Sequence, residues 1–149
     1  MEMQDAHQIR LEIPSSAEYV GVVKQAIVGI ANRMHFDVPE INDLRLAVGE
    51  ACTNAVKHGC HSCVNPAVTV VCNVTADTLE IEISNGLSGG EQCPVIVDNL
   101  SQSPDDTKEG GMGLYIMRRL MDEVDIIWSE HTARIRMVKH LKPHQTEAI

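Results

Sequence analysis

Glu50 and Asn54 stand four residues apart in Glu50-Ala51-Cys52-Thr53-Asn54-Ala55-Val56-Lys57-His58-Gly59, a spacing that stacks them one turn apart on a single helix face. A carboxylate there can take the proton of an attacking hydroxyl, and a neutral carboxamide oxygen can hold a hard cation such as Mg2+. Further along, Glu109-Gly110-Gly111-Met112-Gly113-Leu114-Tyr115-Ile116 runs from glycines into an apolar periodic segment. Gly110, Gly111 and Gly113 lack the Cβ atoms that would hold a backbone away from phosphate oxygens. A helix beginning near Gly113, with Leu114 as its first apolar residue, directs its positive end to the same place. Together the two segments predict a nucleotide site suited to phosphoryl transfer, a reaction that asks a protein mainly for positioning and charge neutralisation. No G-x-x-x-x-G-K-[ST] occurs, which excludes a P-loop. Lys57 and His58 continue the same helix edge within reach of phosphate and read at least as well as structural or surface side chains, while Lys108 reads first as a flexible surface lysine.

The elements that must position these residues follow from the apolar pattern. Residues 8–13 alternate apolar and polar and read as a half-buried strand. Ser15 stands three before Glu18, a capping-box spacing that predicts a helix start. Val20, Val23, Ile27, Ile30 and Met34 then recur at steps of three and four as one buried stripe, with Lys24 off it, near the exposed side. The segment His35-Phe36-Asp37-Val38-Pro39 breaks the pattern, and Pro39 suits the start of a second helix. There Ile41, Leu44, Val48, Ala51 and Ala55 make the core stripe, so that Glu50, Asn54 and His58 fall on its flank and border a pocket. Residues 68–74 and 79–84 read as one hairpin, and 124–129 and 133–138 as another. Between the hairpins, the polar, Gly- and Pro-bearing stretch from Asn85 to Gly111 is long enough to demand a functional reason and reads as a nucleotide lid. A third helix over 113–121 buries Leu114, Met117 and Met121. The sum is an α+β fold, a two-layer α/β sandwich of three helices on a mixed or antiparallel sheet, with residues 1–149 as a single domain.

Composition narrows the function classes. Apolar residues make up 44% and aromatic residues 3%, so the core must be aliphatic. No apolar run approaches the ~20 residues of a membrane span, and the polar start Met1-Glu2-Met3-Gln4-Asp5 has no signal-peptide character, so a cytoplasmic protein without membrane contact is expected. A net charge of −9 argues against direct nucleic-acid binding, which needs Lys and Arg to displace counterions. Five cysteines, an odd number with no secretory signal, argue against a disulfide framework, and free thiols are expected. His58, Cys60, His61 and Cys63 raise a zinc or thiol-sensor reading, which lacks a second ligand pair at its own short spacing.

The E-x-x-x-N helix followed by a G-x-G-L helix resembles the ATPase superfamily of gyrase, histidine kinases and MutL, with its Bergerat-type fold. The wording around the motifs is similar to one branch of it. Pro14-Ser15-Ser16-Ala17-Glu18-Tyr19-Val20-Gly21, Ala31-Asn32-Arg33-Met34, Ala47-Val48-Gly49-Glu50-Ala51-Cys52-Thr53-Asn54-Ala55-Val56, Glu109 to Tyr115 and Leu120-Met121-Asp122-Glu123-Val124 resemble the bacterial anti-sigma factor serine kinases, over roughly residues 8–140. That resemblance implies a homodimer that uses ATP and Mg2+, binds a sigma factor, phosphorylates an anti-sigma factor antagonist, and so regulates transcription in stress response or sporulation. It assigns catalysis to Glu50, the metal to Asn54, nucleotide contacts to Asn85, Gly89, Gly110, Gly111, Gly113 and Leu114, and partner contact to Lys24, where the family commonly has arginine. One segment departs from the family. In Ile83-Ser84-Asn85-Gly86-Leu87-Ser88-Gly89-Gly90, Asn85 replaces the aspartate that accepts the adenine amino group and Leu87 replaces a glycine, while Gly89 matches. Two readings therefore stay open: a kinase, favoured by Glu50 and Asn54, and a pseudo-kinase that holds a regulator without phosphotransfer, favoured by Asn85 and Leu87.

Overall fold

The structure, a computed structural model, describes residues 6–59, 63–87, 111–128 and 133–143. Strand β1 spans His7–Pro14, and a single 3-10 turn over Ala17–Tyr19 leads into helix α1, Val20–Arg33. Ser16, not Ser15, occupies the cap position of that turn, and no side-chain cap bond forms. The Ser15–Glu18 capping box is therefore corrected: the backbone of Ser15 still follows the sheet, its N–H donating to the Pro66 carbonyl at 2.9 Å. Helix α1 stops in a left-handed turn. His35 has φ 72°, its N–H donates to Asn32 O, and the N–H of the buried Phe36 donates to Ala31 O, which uses up carbonyls that a helix end leaves orphaned.

The capping box that does form belongs to helix α2, Val38–Lys57. The Asp37 carboxylate accepts the Glu40 N–H at 3.0 Å and the Glu40 carboxylate accepts the Asp37 N–H at 3.2 Å, with Pro39 in the first turn. Strands β2 (Pro66–Val74) and β3 (Thr78–Leu87) follow, then helix α3 (Gly111–Leu120) and strands β4 (Glu123–Trp128) and β5 (Ala133–His140). The five strands form one sheet in the order β1-β2-β3-β5-β4, and each neighbouring pair is antiparallel. The sheet is thus wholly antiparallel, and the second hairpin joins it through β5 rather than β4.

One aliphatic core lies between the helices and one sheet face. Val23, Ile27, Leu44, Val48 and Met117 from the helices meet Val68, Val70, Leu79, Ile81, Ile83 and Met137 from the strands. The predicted stripes of α1 and α2 are the buried faces, with Ile30 and Leu114 only partly covered. On the other sheet face, Arg136 pairs with Glu80, Glu123 and Asp125 and ties three strands together in a charged ladder. Lys139, on β5, donates to the Leu120 carbonyl at 2.6 Å and so anchors the C-terminal end of α3 to the sheet.

Candidate nucleotide site

Four polar or charged residues are buried among those described: Glu40, Asn54, Asn85 and Lys139. Two of them hold the fold together, because Glu40 closes the α2 cap and accepts from Lys142, while Lys139 anchors α3. Asn54 and Asn85, the other two, are each 9% exposed. No buried side-chain polar atom among the described residues lacks a hydrogen-bond partner, so what sets these two carboxamides apart is where they stand in the fold.

Asn54 lies on the flank of α2 and one turn above Glu50, which is half-buried. Facing them is α3. A Cβ built on the buried Gly113 would stand 3.0 Å from Glu50 Oε1, 3.5 Å from Asn54 Nδ2 and 3.8 Å from Asn54 Oδ1. The two sequence segments thus meet at one point. Glycine at this position leaves the Glu50 carboxylate undisturbed, whereas a methyl group there requires it to give by a few tenths of an ångström. The first turn of α3 therefore sits beside two oxygen-bearing side chains, and a helix N-terminus next to such a pair can hold phosphate oxygens and a hard cation side by side.

Asn85 continues the core-facing row of β3 after Ile81 and Ile83, and pairs with Val68 on β2. The strand runs on to Leu87, opposite Pro66, so Asn85 belongs to the sheet rather than to a lid. That end of the sheet is also where α2 ends: Ser15 donates to Pro66, and a Cβ on Gly59 would stand 3.4 Å from Ser15 Oγ. Asn85 thus lies at the same end of the molecule as the Glu50–Asn54 pair. Helix α3 begins at Gly111, two residues earlier than the apolar pattern predicts. Gly89, Gly110 and the remainder of the predicted lid, with Lys108, lie outside the described residues. Leu114 packs against the core, so its side chain anchors α3.

Lys24 is not on the exposed side. It is half-buried, with Cε 2.8 Å and Nζ 3.3 Å from the place where a Cβ on Gly49 would stand. Gly49 is a residue the apolar pattern passes over. The signal was a glycine inside a helix, a choice that costs about 1 kcal/mol against alanine and so calls for a packing reason. The thiol expectation is also corrected. Cys52 and Cys72 are free and buried, and burial pushes both thiols up to about 12. Cys63, by contrast, is disulfide-bonded and offers no thiolate to a metal. Among the described residues no group of three or more His, Cys, Asp or Glu could hold a metal ion. His58 caps the C-terminal end of α2, its N–H donating to Asn54 O at 2.9 Å; Cys60 and His61 lie outside the described residues.

Residues 13–139 match the profile of the histidine kinase-like ATPase domain family. Serine-protein kinase RsbW of Bacillus cereus (strain Q1) is 33% identical over 149 residues, covering 97% of this chain and 92% of that protein. Serine-protein kinase RsbW of Bacillus subtilis (strain 168) is 34% identical over 148 residues, covering 96% and 91%. Among solved structures, the RsbU and RsbW domains of Rv1364c from Mycobacterium tuberculosis superpose with a TM-score of 0.64 at 12% identity, over 92% of this chain and 33% of that one. This chain therefore spans about a third of that two-domain protein. The histidine kinase domain from Erythrobacter litoralis EL346 gives a TM-score of 0.55 at 20% identity, over 99% and 72%. At these identities the two structures speak to the fold, whereas the Bacillus sequences reach the branch: the chain belongs to the histidine kinase-like ATPase domain family, among the RsbW serine-protein kinases.

Proposed function

We propose that this protein kinase is an anti-sigma factor that binds a sigma factor and uses Mg·ATP to phosphorylate a serine or threonine of an anti-sigma factor antagonist, acting as a cytoplasmic homodimer. The observation that carries the reading is the convergence of Glu50, Asn54 and the α3 N-terminus on Gly113. Glu50 is the general base, accepting the proton of the attacking hydroxyl. Asn54 would hold Mg2+ through its neutral oxygen; the donor set fits, because this ion takes one or two protein oxygens and completes its shell with phosphate and water. When bound, the ion supplies neutralisation of phosphate charge. The N–H groups opening α3, with Gly110, Gly111 and Gly113, cradle phosphate, and Asn85 with Gly89 receives the adenine end. Lys24 contributes to the sigma-factor and antagonist surface, and to do so it must leave its place over Gly49. No helix among the described residues is long and apolar enough to cross a membrane, and the net charge of −9 disfavours direct nucleic-acid contact.

The test is transfer of labelled phosphate from ATP to a purified antagonist from the same organism. The wild type should transfer it and Glu50→Ala should not. A second reading, a module that binds a regulator without phosphotransfer, is favoured by Asn85 and Leu87, since a neutral acceptor forms hydrogen bonds roughly half as strong as those of a carboxylate and Leu87 stands where the family has glycine. Sigma-factor capture with no phosphotransfer by the wild type would select it.

A further inference from the structure

At the opposite end of the sheet from Asn85, a cleft of about 610 Å3 opens between the start of β1, the end of α1 and the turn joining β2 to β3. His7 pairs with Val74 at this end and Val68 pairs with Asn85 at the other, so about six residue steps, roughly 20 Å, separate cleft and nucleotide site. The volume lies within the ~300–1,000 Å3 of ordinary small-molecule sites. Its wall has two characters. Ile9, Ile30 and Val74 give an apolar floor, with Ile9 left 43% exposed on an edge strand, while His7, Arg33 and His35 line the rim. Among the described residues no Asp or Glu lines it, in a chain that carries 21 of them against 12 Lys and Arg. The position of His35 is itself costly, because a non-glycine residue at φ 72° sits in a sparsely populated region. Nor is the negative end of α1 left bare, since Ile30 O, Asn32 O and Ala31 O already accept from Met34, His35 and Phe36.

We propose that this cleft binds a small organic anion, a carboxylate carried on a hydrocarbon body, with the body on Ile9, Ile30 and Val74 and the charged head against Arg33 and the two imidazoles. The site is independent of the phosphotransfer reading. Its test is a titration of the full-length, nitrogen-15-labelled chain with octanoate, followed by amide shifts, with octanamide as the uncharged control. Octanoate should move the amides of His7, Ile9, Arg33, His35 and Val74 and spare Gly113. Octanamide should bind more weakly, and Arg33→Glu, an exposed position, should lower octanoate affinity by about tenfold or more, as expected when a charge-assisted contact is lost. Shifts scattered over the surface or confined to the nucleotide site, equal binding of octanamide, or unchanged affinity in the Arg33 variant would each overturn the assignment.

Discussion

At the level of single residues, the proposed function makes Glu50 the general base and Gly113 the point of close approach. A general base adds about 10²–10⁴-fold to rate and little to ground-state binding, so Glu50→Ala should lose phosphotransfer by that factor while the ATP dissociation constant stays nearly unchanged. Equilibrium titration beside a transfer assay would show the split. Asn54→Ala, by contrast, should weaken the Mg2+-dependent part of binding itself. Gly113→Ala places a methyl group 3.0 Å from Glu50 Oε1 and 3.5 Å from Asn54 Nδ2, so the Glu50 carboxylate must give by a few tenths of an ångström. Displacing that carboxylate should lower the transfer rate more than the ATP affinity, as a transfer assay beside equilibrium titration would read. A Gly113→Ala protein with native kinetics would mean that the close approach has no part in the chemistry.

Among the elements, α2 matters most because it carries both Glu50 and Asn54 on a flank bordering the core. Its stripe of Ile41, Leu44, Val48, Ala51 and Ala55 was legible in the sequence, as was the meeting of Asn54 with the glycine turn, because periodicity states which side a Cα faces. Two misreadings have the same root. The Ser15–Glu18 spacing fits a capping box, but the pairing of β1 with β2 holds Ser15 in the sheet, and a nonlocal hydrogen bond outranks a local one. Lys24 lies off its stripe, yet a four-carbon stem can fold back over a glycine on the next helix, and periodicity says nothing about where a long side chain ends. The buried thiols of Cys52 on α2 and Cys72 on β2 add a pH dependence. Burial raises both from 9.0 to about 12, so the unfolded chain ionises first as pH rises. Their contribution is fully present below about pH 9 and is lost between there and about 12. Denaturant midpoints should therefore fall between neutral pH and about pH 10, and less so in Cys52→Ala/Cys72→Ala. A midpoint that is flat over that interval would contradict the burial argument.

For the whole molecule, the proposed function includes an exchange of partners, and it puts Lys24 on the partner surface. Stowed over Gly49, its ammonium is one residue along α2 from Glu50. If it pairs across the sigma-factor interface, Lys24→Glu should weaken that complex by about 1–3 kcal/mol and leave ATP binding intact, as read by a pull-down titration beside calorimetry. Unchanged sigma-factor affinity would leave Lys24 with its packing role alone. The complete account, however, turns on whether Asn85 still receives adenine. Calorimetric titration of Mg·ATP into the wild type, Asn85→Asp, Leu87→Gly and the double variant tests this most directly. The account predicts measurable binding by the wild type, tightened in Asn85→Asp by about 1 kcal/mol, or several-fold in dissociation constant, as one charge-assisted hydrogen bond replaces a neutral one. Absence of detectable binding in all four proteins would contradict it.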